Sequence, residues 1–166
     1  VNGSVGAFLV LEAREHAEAR GRKPYAQLGP VFSDRSMRRP GEAAANAARQ
    51  FEAISNAAHH HPLAVITGAT GVAGPTREER DFLAGLMEKG EVSTVRAASN
   101  MLGTAREASF ASNIALAALA LSRKRFYKPT DDTGFEKPLA VAPEAIAVIT
   151  WGLWRGEGLG LVEAVS

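Results

Sequence analysis

With 166 residues, 46% of them hydrophobic and 22% charged, the chain is long enough to bury one core, so one domain or one half of a larger one is expected. A formal net charge of +1 gives no global attraction to nucleic acid or an anionic membrane surface, and no apolar run is long enough to insert across a bilayer. The absence of cysteine excludes disulfides, thiolate metal sites and a thiol nucleophile from these residues, and it accords with a reducing, cytoplasmic setting.

The chain opens within VNGSVGAFLVLE over 1–12, of which GAFLVLE over 6–12 reads as a strand, so it is expected to be a piece of a longer protein. A charged helix follows and stops at Gly21, the residue type that tolerates a left-handed C-terminal cap. PYAQLGPVF reads as a second strand. A polar loop then leads to an Ala-rich helix over about 42–58, with Ala47, Phe51, Ile54 and Ala58 on one face. PLAVIT is a short continuous apolar run, the pattern of a strand buried on both faces.

The next helix carries Phe82, Leu83, Leu86 and Met87 and ends at Gly90, and VSTVR is another strand. From about 105 to 125 the sequence is apolar on nearly every side through its middle, as expected of a helix inside the domain. PLAVA, AIAVIT and GLGLVEAV give three final strand-like runs. Strands alternating with helices before an all-strand tail predict an α/β fold with a mixed sheet packed between helices.

Side chains that could carry chemistry are few. His59, His60 and His61 are adjacent and so point in different directions, which favours a polar loop over a metal site. Asp131 and Asp132 precede Thr133 and Gly134 and read as turn chemistry. Two basic clusters, Arg35 with Arg38 and Arg39, and Arg123 with Lys124 and Arg125, read as solvated faces, a docking site for an acidic partner being the weaker alternative.

VITGATGVAG, over 65–74, is the one stretch that invites a specific function, with glycines at 68, 71 and 74 after a strand. It resembles the fingerprint of extended short-chain dehydrogenases, in which a helix beginning among the glycines faces the pyrophosphate of NAD(P). Three features count against that alternative. Pro75 disfavours helix at Gly74, and Thr76 with Glu79 has the spacing of a capping box, so the helix is expected to start after the last glycine. Neither Tyr25 nor Tyr127 has a lysine four residues on, and too little chain follows the glycines for a full dinucleotide fold.

The whole chain resembles the C-terminal part of a β-ketoacyl-acyl carrier protein synthase, the condensing enzyme of fatty acid and polyketide synthesis. GAFLVLEAREHAEARGRKPYAQL is similar to the segment that closes the first half-domain of that family and enters the second. The glycine loop falls without a gap on the family motif H-G-T-x-T-x-x-x-D-x-x-E. Gly68 stands at the catalytic histidine, Ala69 and Thr70 at the glycine and first threonine, Val72 at the second threonine, and Thr76 and Glu79 at the acidic pair. The motif T-K-S-x-x-G-H falls on 98–104, with Ser99 at the lysine and Thr104 at the second histidine. Glu107 and Phe110 replace glycines of the following helix, and Pro129-Thr130 matches a Pro-Thr signature. The final N-S-F-G-F-G-G-T-N turn falls on 149–157, where Trp154 and Arg155 fill a flexible glycine pair.

This resemblance implies a thiolase-like half-domain over 1–166, the C-terminal ketosynthase-like domain of a longer chain. It implies that no catalytic residue survives: the cysteine is outside these residues, and both histidines and the lysine are replaced by Gly68, Thr104 and Ser99. Losing one preorganised donor costs about a hundred- to a thousand-fold in rate, so little condensing activity is expected. The implied role is a non-catalytic partner comparable to a chain-length factor, shaping an acyl tunnel with a gating loop at Trp151, Gly152, Trp154 and Arg155. No cofactor and no metal is implied. The implied partners are a ketosynthase-type subunit, in a homo- or heterodimer, and an acyl carrier protein; nucleic acid and membrane insertion are not.

Overall fold

The structure, a computed structural model, describes residues 2–37, 39–105, 107–151 and 156–165. Its elements are α1 (Arg14–Ala19), β1 (Gln27–Asp34), α2 (Glu42–Ala57), β2 (Leu63–Thr67), α3 (Ala73–Glu88), β3 (Val92–Ala97), α4 (Ser99–Leu102), α5 (Ser109–Ser122), β4 (Ala145–Trp151) and β5 (Glu157–Glu163). The five strands form one mixed sheet in the order β1-β5-β4-β2-β3. β2 runs parallel to both β3 and β4, whereas β5 is antiparallel to β4 and to β1.

Strand alternation divides the core into two layers. Val65 of β2, Ala147 and Ile149 of β4, and Leu159 and Leu161 of β5 face a cluster completed by α2 and α3. Ala64 and Ile66, Ile146 and Val148, and Val162 face the opposite cluster, built on α5. β2 is buried at all five positions, which is why its sequence is uninterrupted apolar until Thr67. On α2, Ala47, Phe51 and Ile54 are buried, and Ala58, just past its end, packs more loosely. The sheet packed between helices is the arrangement expected from the sequence.

The free edge of β3 is covered by a loop rather than a strand. Thr94 Oγ1 donates to Lys137 O at 2.7 Å, and the Ala97 amide donates to Glu136 Oε1 at 2.8 Å. Arg96, 3% exposed, donates to Tyr127 O and Lys137 O and lies 5.0 Å from the Phe126 ring centroid. Desolvation lowers its pKa, which nearby Glu136 and Asp131 partly offset. These bonds pin the segment that crosses the sheet edge and cover part of it.

Four expectations need correction. Residues 6–12 form no strand: the segment is extended, with alternating exposure, but has no paired neighbour, and Phe8 is fully exposed. PLAVA is not a strand either; Pro138 and Pro143 bracket it without N–H groups to give, and Val141 is 79% exposed. The helix expected from 105 begins at Ser109, and its middle is only half covered, with Ala115, Leu116, Ala118 and Leu119 partly exposed. α3 starts at Ala73, inside the glycine loop and not after it.

The last correction has a local cause. Val72 is the N-cap residue and makes no side-chain cap bond, so there is no capping box. Pro75 is the third helical residue, where an amide N–H has no intrahelical acceptor to lose, and the first helical bond runs from the Thr76 N–H to Val72 O at 3.0 Å. Thr76 and Glu79 turn inward instead of capping the helix. Among the described residues, no helix is long and apolar enough to cross a membrane.

Candidate functional site

β2 delivers the chain to Gly68, where the loop turns back over the ends of the central strands. Thr67 organises this turn. Its Oγ1 accepts the Ala69 amide at 3.1 Å and donates to the Glu79 carboxylate, while its carbonyl accepts Asn113 Nδ2 of α5 at 3.2 Å. Gly71 takes a φ of +79°, a conformation that favours glycine.

Gly68, Ser99 and Thr104 do come together, around one small crevice that Val5, Ser112 and Asn113 also line. Its volume is about 20 Å³, room for about one water. The hydroxyls are directed at the loop. Ser99 Oγ donates to Ala69 O at 2.6 Å, and Thr104 Oγ1 donates to Thr70 O at 3.4 Å. Both side chains therefore spend their protons on holding the turn.

Gly68 has a second constraint, invisible in the sequence. A Cβ there would lie 2.8 Å from both Ile149 O and Thr150 Cα of β4. Both are backbone atoms of a central strand, so no side chain, imidazole included, fits unless β4 or the loop moves. The crevice is closed from the other side by the amino-terminal segment. Asn2 bridges Thr104, the Gly3 amide donates to Thr104 O at 3.0 Å, and a Cβ on Gly3 would lie 1.9 Å from Leu102 O.

Trp151 is placed differently from what the turn motif suggested. It is 3% exposed at the end of β4 and packs on Phe82 with ring centroids 5.7 Å apart; Phe82 in turn meets Phe51 edge-on at 6.3 Å. It is a core aromatic, and it lines neither the crevice nor the cavity beside it. Gly152, Trp154 and Arg155, the rest of the expected gating loop, lie outside the described residues. Phe110, at a family glycine position, has its space supplied by Gly160 of β5, where a Cβ would meet the ring at 3.2 Å.

The same loop separates the crevice from a much larger open cavity of about 760 Å³ under α3, α4 and the 131–136 loop. Glu79, 1% exposed, lines it, and burial pushes its pKa up to about 7 against the lowering by the Thr67 and Gly68 hydrogen bonds. Nothing in the residue pattern warns of this buried carboxyl, because the T-x-x-E spacing reads as an exposed cap. Asp131 and Glu136, also on the cavity, are engaged: Asp131 Oδ1 accepts from Thr133, and Glu136 accepts from Ala97 and Thr130.

The histidine run is split between two carboxylates. His59 Nδ1 sits 3.2 Å from Glu163, and His60 Nδ1 sits 2.9 Å from Glu144. Among the described residues, no group of three His, Cys, Asp or Glu side chains is placed to hold a metal. Tyr127 donates its hydroxyl to Leu116 O at 2.9 Å, and burial raises its pKa, while Tyr25 is 68% exposed.

No family model matches the chain, and no curated protein matches it. Solved structures do. A type II polyketide synthase acyl-carrier protein in complex with its ketosynthase (AntDE:AntF) aligns with a TM-score of 0.75 at 16% identity, over 93% of this chain and 42% of that one. The ishigamide ketosynthase/chain length factor aligns with a TM-score of 0.73 at 16% identity, with the same two coverages, 93% and 42%. An oxazolomycin ketosynthase domain of Streptomyces albus JA3453 aligns with a TM-score of 0.66 at 19% identity, over 91% of this chain and 48% of that one. The chain therefore has the fold found in ketosynthases, and it spans less than half the length of these structures.

Proposed function

We propose that this chain is the C-terminal half-domain of a ketosynthase-like protein of polyketide or fatty acid synthesis that has kept the scaffold and lost the condensing chemistry. The observation that carries the reading is the filled crevice. Gly68 is backed by the main chain of β4, Ser99 and Thr104 are bonded to loop carbonyls, and the remaining space suits about one water. An acyl thioester has neither room nor a pair of donors there. The half-covered face of α5 and the extended apolar segment holding Phe8, Val10 and Leu11 are surfaces that a preceding half-domain would cover.

In this reading the whole protein works in the cytoplasm beside an active ketosynthase, in the manner of a chain-length factor. Similarity to a ketosynthase/chain length factor and to a ketosynthase held by its acyl-carrier protein supports that choice of partners. The test is condensation of malonyl- and acyl-carrier protein by the full-length protein, alone and with an active ketosynthase subunit. We expect no turnover alone and a changed product length in the pair. Ordinary turnover by the protein alone would overturn the reading.

One observation favours the nucleotide alternative more than the sequence did: α3 begins among the glycines, at Ala73. Against it stand the filled crevice at the end of β2 and the absence of a lysine at the fourth position after either tyrosine. Calorimetry with NADH and NADPH decides it. Binding that is lost in Gly71→Trp would establish a reductase-like site, and no heat removes the alternative.

A further inference from the structure

Helices α1, α3 and α5 end in the same left-handed turn, and of the three only α5 makes it without glycine. At α1 the turn residue is Gly21, whose amide bonds to Glu18 O while that of Arg22 bonds to Ala17 O. At α3 it is Gly90, with the Gly90 and Glu91 amides bonded to Met87 O and Leu86 O. At α5 the matching bonds run from Lys124 to Leu121 O and from Arg125 to Ala120 O, both at 3.0 Å. Lys124 takes a φ of +48°, and among the described residues it is the one non-glycine with a positive φ. A side chain in this conformation costs stability that glycine would not. Local rules of this kind are broken where a residue serves function.

Lys124 lies in a basic surface larger than the sequence run suggests. Arg123, Arg125 and Lys128 flank it, and all four are exposed. Buried Arg96 adds a fifth cation by joining two segments: its Nε donates to Tyr127 O at 2.6 Å and its Nη2 to Lys137 O at 3.0 Å. Exposed Lys137 is thereby held near Lys128. Leu139 packs on the same cluster as Phe126 and Tyr127, and Val141, two residues on, is 79% exposed. Residues 123–129 and 137–143 hold five of the chain's 19 Lys and Arg and none of its 18 Asp and Glu, so a net charge of +1 conceals a strongly positive region. Among the described residues, none of the five cations forms a salt bridge. The dipole of α5 attracts cations to its last turn, but it does not reach Lys128 and Lys137 beyond that turn.

The composition of the two segments decides which anion they suit. Their exposed residues are Lys, Arg, Pro, Ala and Val, without Asp, Glu, Asn, Gln, Ser or Thr. Lys and Ala are depleted from protein interfaces, which also use neutral polar groups for fixed hydrogen bonds. A single-stranded nucleic acid stacks its bases on exposed aromatics, whereas Tyr127 is half-buried with its hydroxyl given to Leu116 O. A bilayer asks for neither: mobile anionic headgroups accept long cationic side chains in any arrangement, and an exposed aliphatic residue reaches the acyl boundary.

We propose that this face binds the surface of an anionic bilayer, with Arg123, Lys124, Arg125, Lys128 and Lys137 among the headgroups and Val141 at the acyl boundary. The contact is peripheral, and no segment crosses the bilayer. It does not depend on the ketosynthase reading, because a condensing and a non-condensing scaffold would carry the same face.

The test is co-sedimentation of the full-length protein with vesicles of phosphatidylcholine, alone or with about one part in three of phosphatidylserine. Binding should be at least about ten-fold tighter to the anionic vesicles, and that preference should vanish near about 1 M salt. Lys124→Gly should weaken binding about five-fold while leaving the protein at least as stable to heat, since glycine suits the turn. Lys124→Gly combined with Arg125→Ser and Lys128→Ser should weaken it about a hundred-fold. Val141→Ser, at an exposed position, should weaken it about three- to ten-fold without changing its salt dependence. Equal binding to neutral and anionic vesicles, or undiminished binding by the triple variant, would overturn the proposal. So would retention on immobilised polyglutamate without any vesicle binding, which would assign the face to an acidic protein.

Discussion

The crevice and the cavity share a wall, the Thr67–Ala69 turn and the 99–104 segment, yet they differ greatly in room, and each has an orphaned oxygen among its lining residues, Ser112 Oγ at the crevice and Glu79 Oε2 with Thr76 Oγ1 at the cavity. In the crevice, Ser99 and Thr104 are bonded inward and Gly68 sits against main-chain atoms, so the space has closed to about 20 Å³. In the cavity, Glu79 and Thr76 keep orphaned oxygens beside about 760 Å³ of space. The place where the family resemblance locates chemistry is thus the one sealed by the protein's own hydrogen bonds. The neighbouring space, which the resemblance does not single out, is the roomy one.

Four substitutions sharpen or break that contrast, from the largest expected effect to the smallest. Trp151→Ala removes a buried aromatic from behind the crevice and should cost about 4 kcal/mol in denaturant unfolding. A cost below about 1 kcal/mol would return Trp151 to a gating role. Gly68→His forces a side chain against Ile149 O and Thr150 Cα and should cost about 3 kcal/mol, without creating condensing activity. A neutral Gly68→His would show that the crevice can reopen, and the contrast with the cavity would collapse.

Glu79→Gln should stabilise the protein, and the sign follows from the direction of the shift. The folded-state pKa lies at about 7, above the ordinary value of 4.5, so the folded protein holds this proton more tightly than the unfolded chain. Below pH 4.5 both states are protonated, and the group contributes no difference. Stability is lost as pH rises from 4.5 to 7, by about 3 kcal/mol in all, and the loss is constant above that. The glutamine variant, unable to ionise, should match the wild type near pH 4 and exceed it by about 2 to 3 kcal/mol at pH 8, read from urea midpoints. A pH-independent difference would mean that Glu79 is already neutralised. Ser99→Ala should have the smallest effect, about 1 kcal/mol, from the lost bond to Ala69 O.

Much of the scaffold was legible because burial leaves periodic traces. PLAVIT is apolar at each position because β2 is covered on both faces, and the face of α2 that carries Phe51 and Ile54 repeats at helical steps. The segments at 6–12 and 138–142 misled for one reason: strand composition says that a residue suits a pleat, not that a neighbour exists to pair with. The start of α3 misled because Pro75 is compatible with the first turn as well as with a break before it. In the site, Gly68, Ser99 and Thr104 were singled out only by the family resemblance, and the structure places all three around one crevice. The orientation of Glu79 was not, since the same T-x-x-E spacing serves an exposed cap or an inward pair.

The sequence by itself determined the class of fold and the apolar runs that become its buried strands. Those properties reside in residue identity and period, which one dimension records. Only the tertiary structure decided that β4 lies too close for any side chain at 68, that Ser99 and Thr104 bond to the loop, and that Glu79 is buried. Each of these depends on a distance between segments remote in sequence, from the 65–74 loop to β4 or α4. Such distances are set by how the layers pack and leave no trace in local composition.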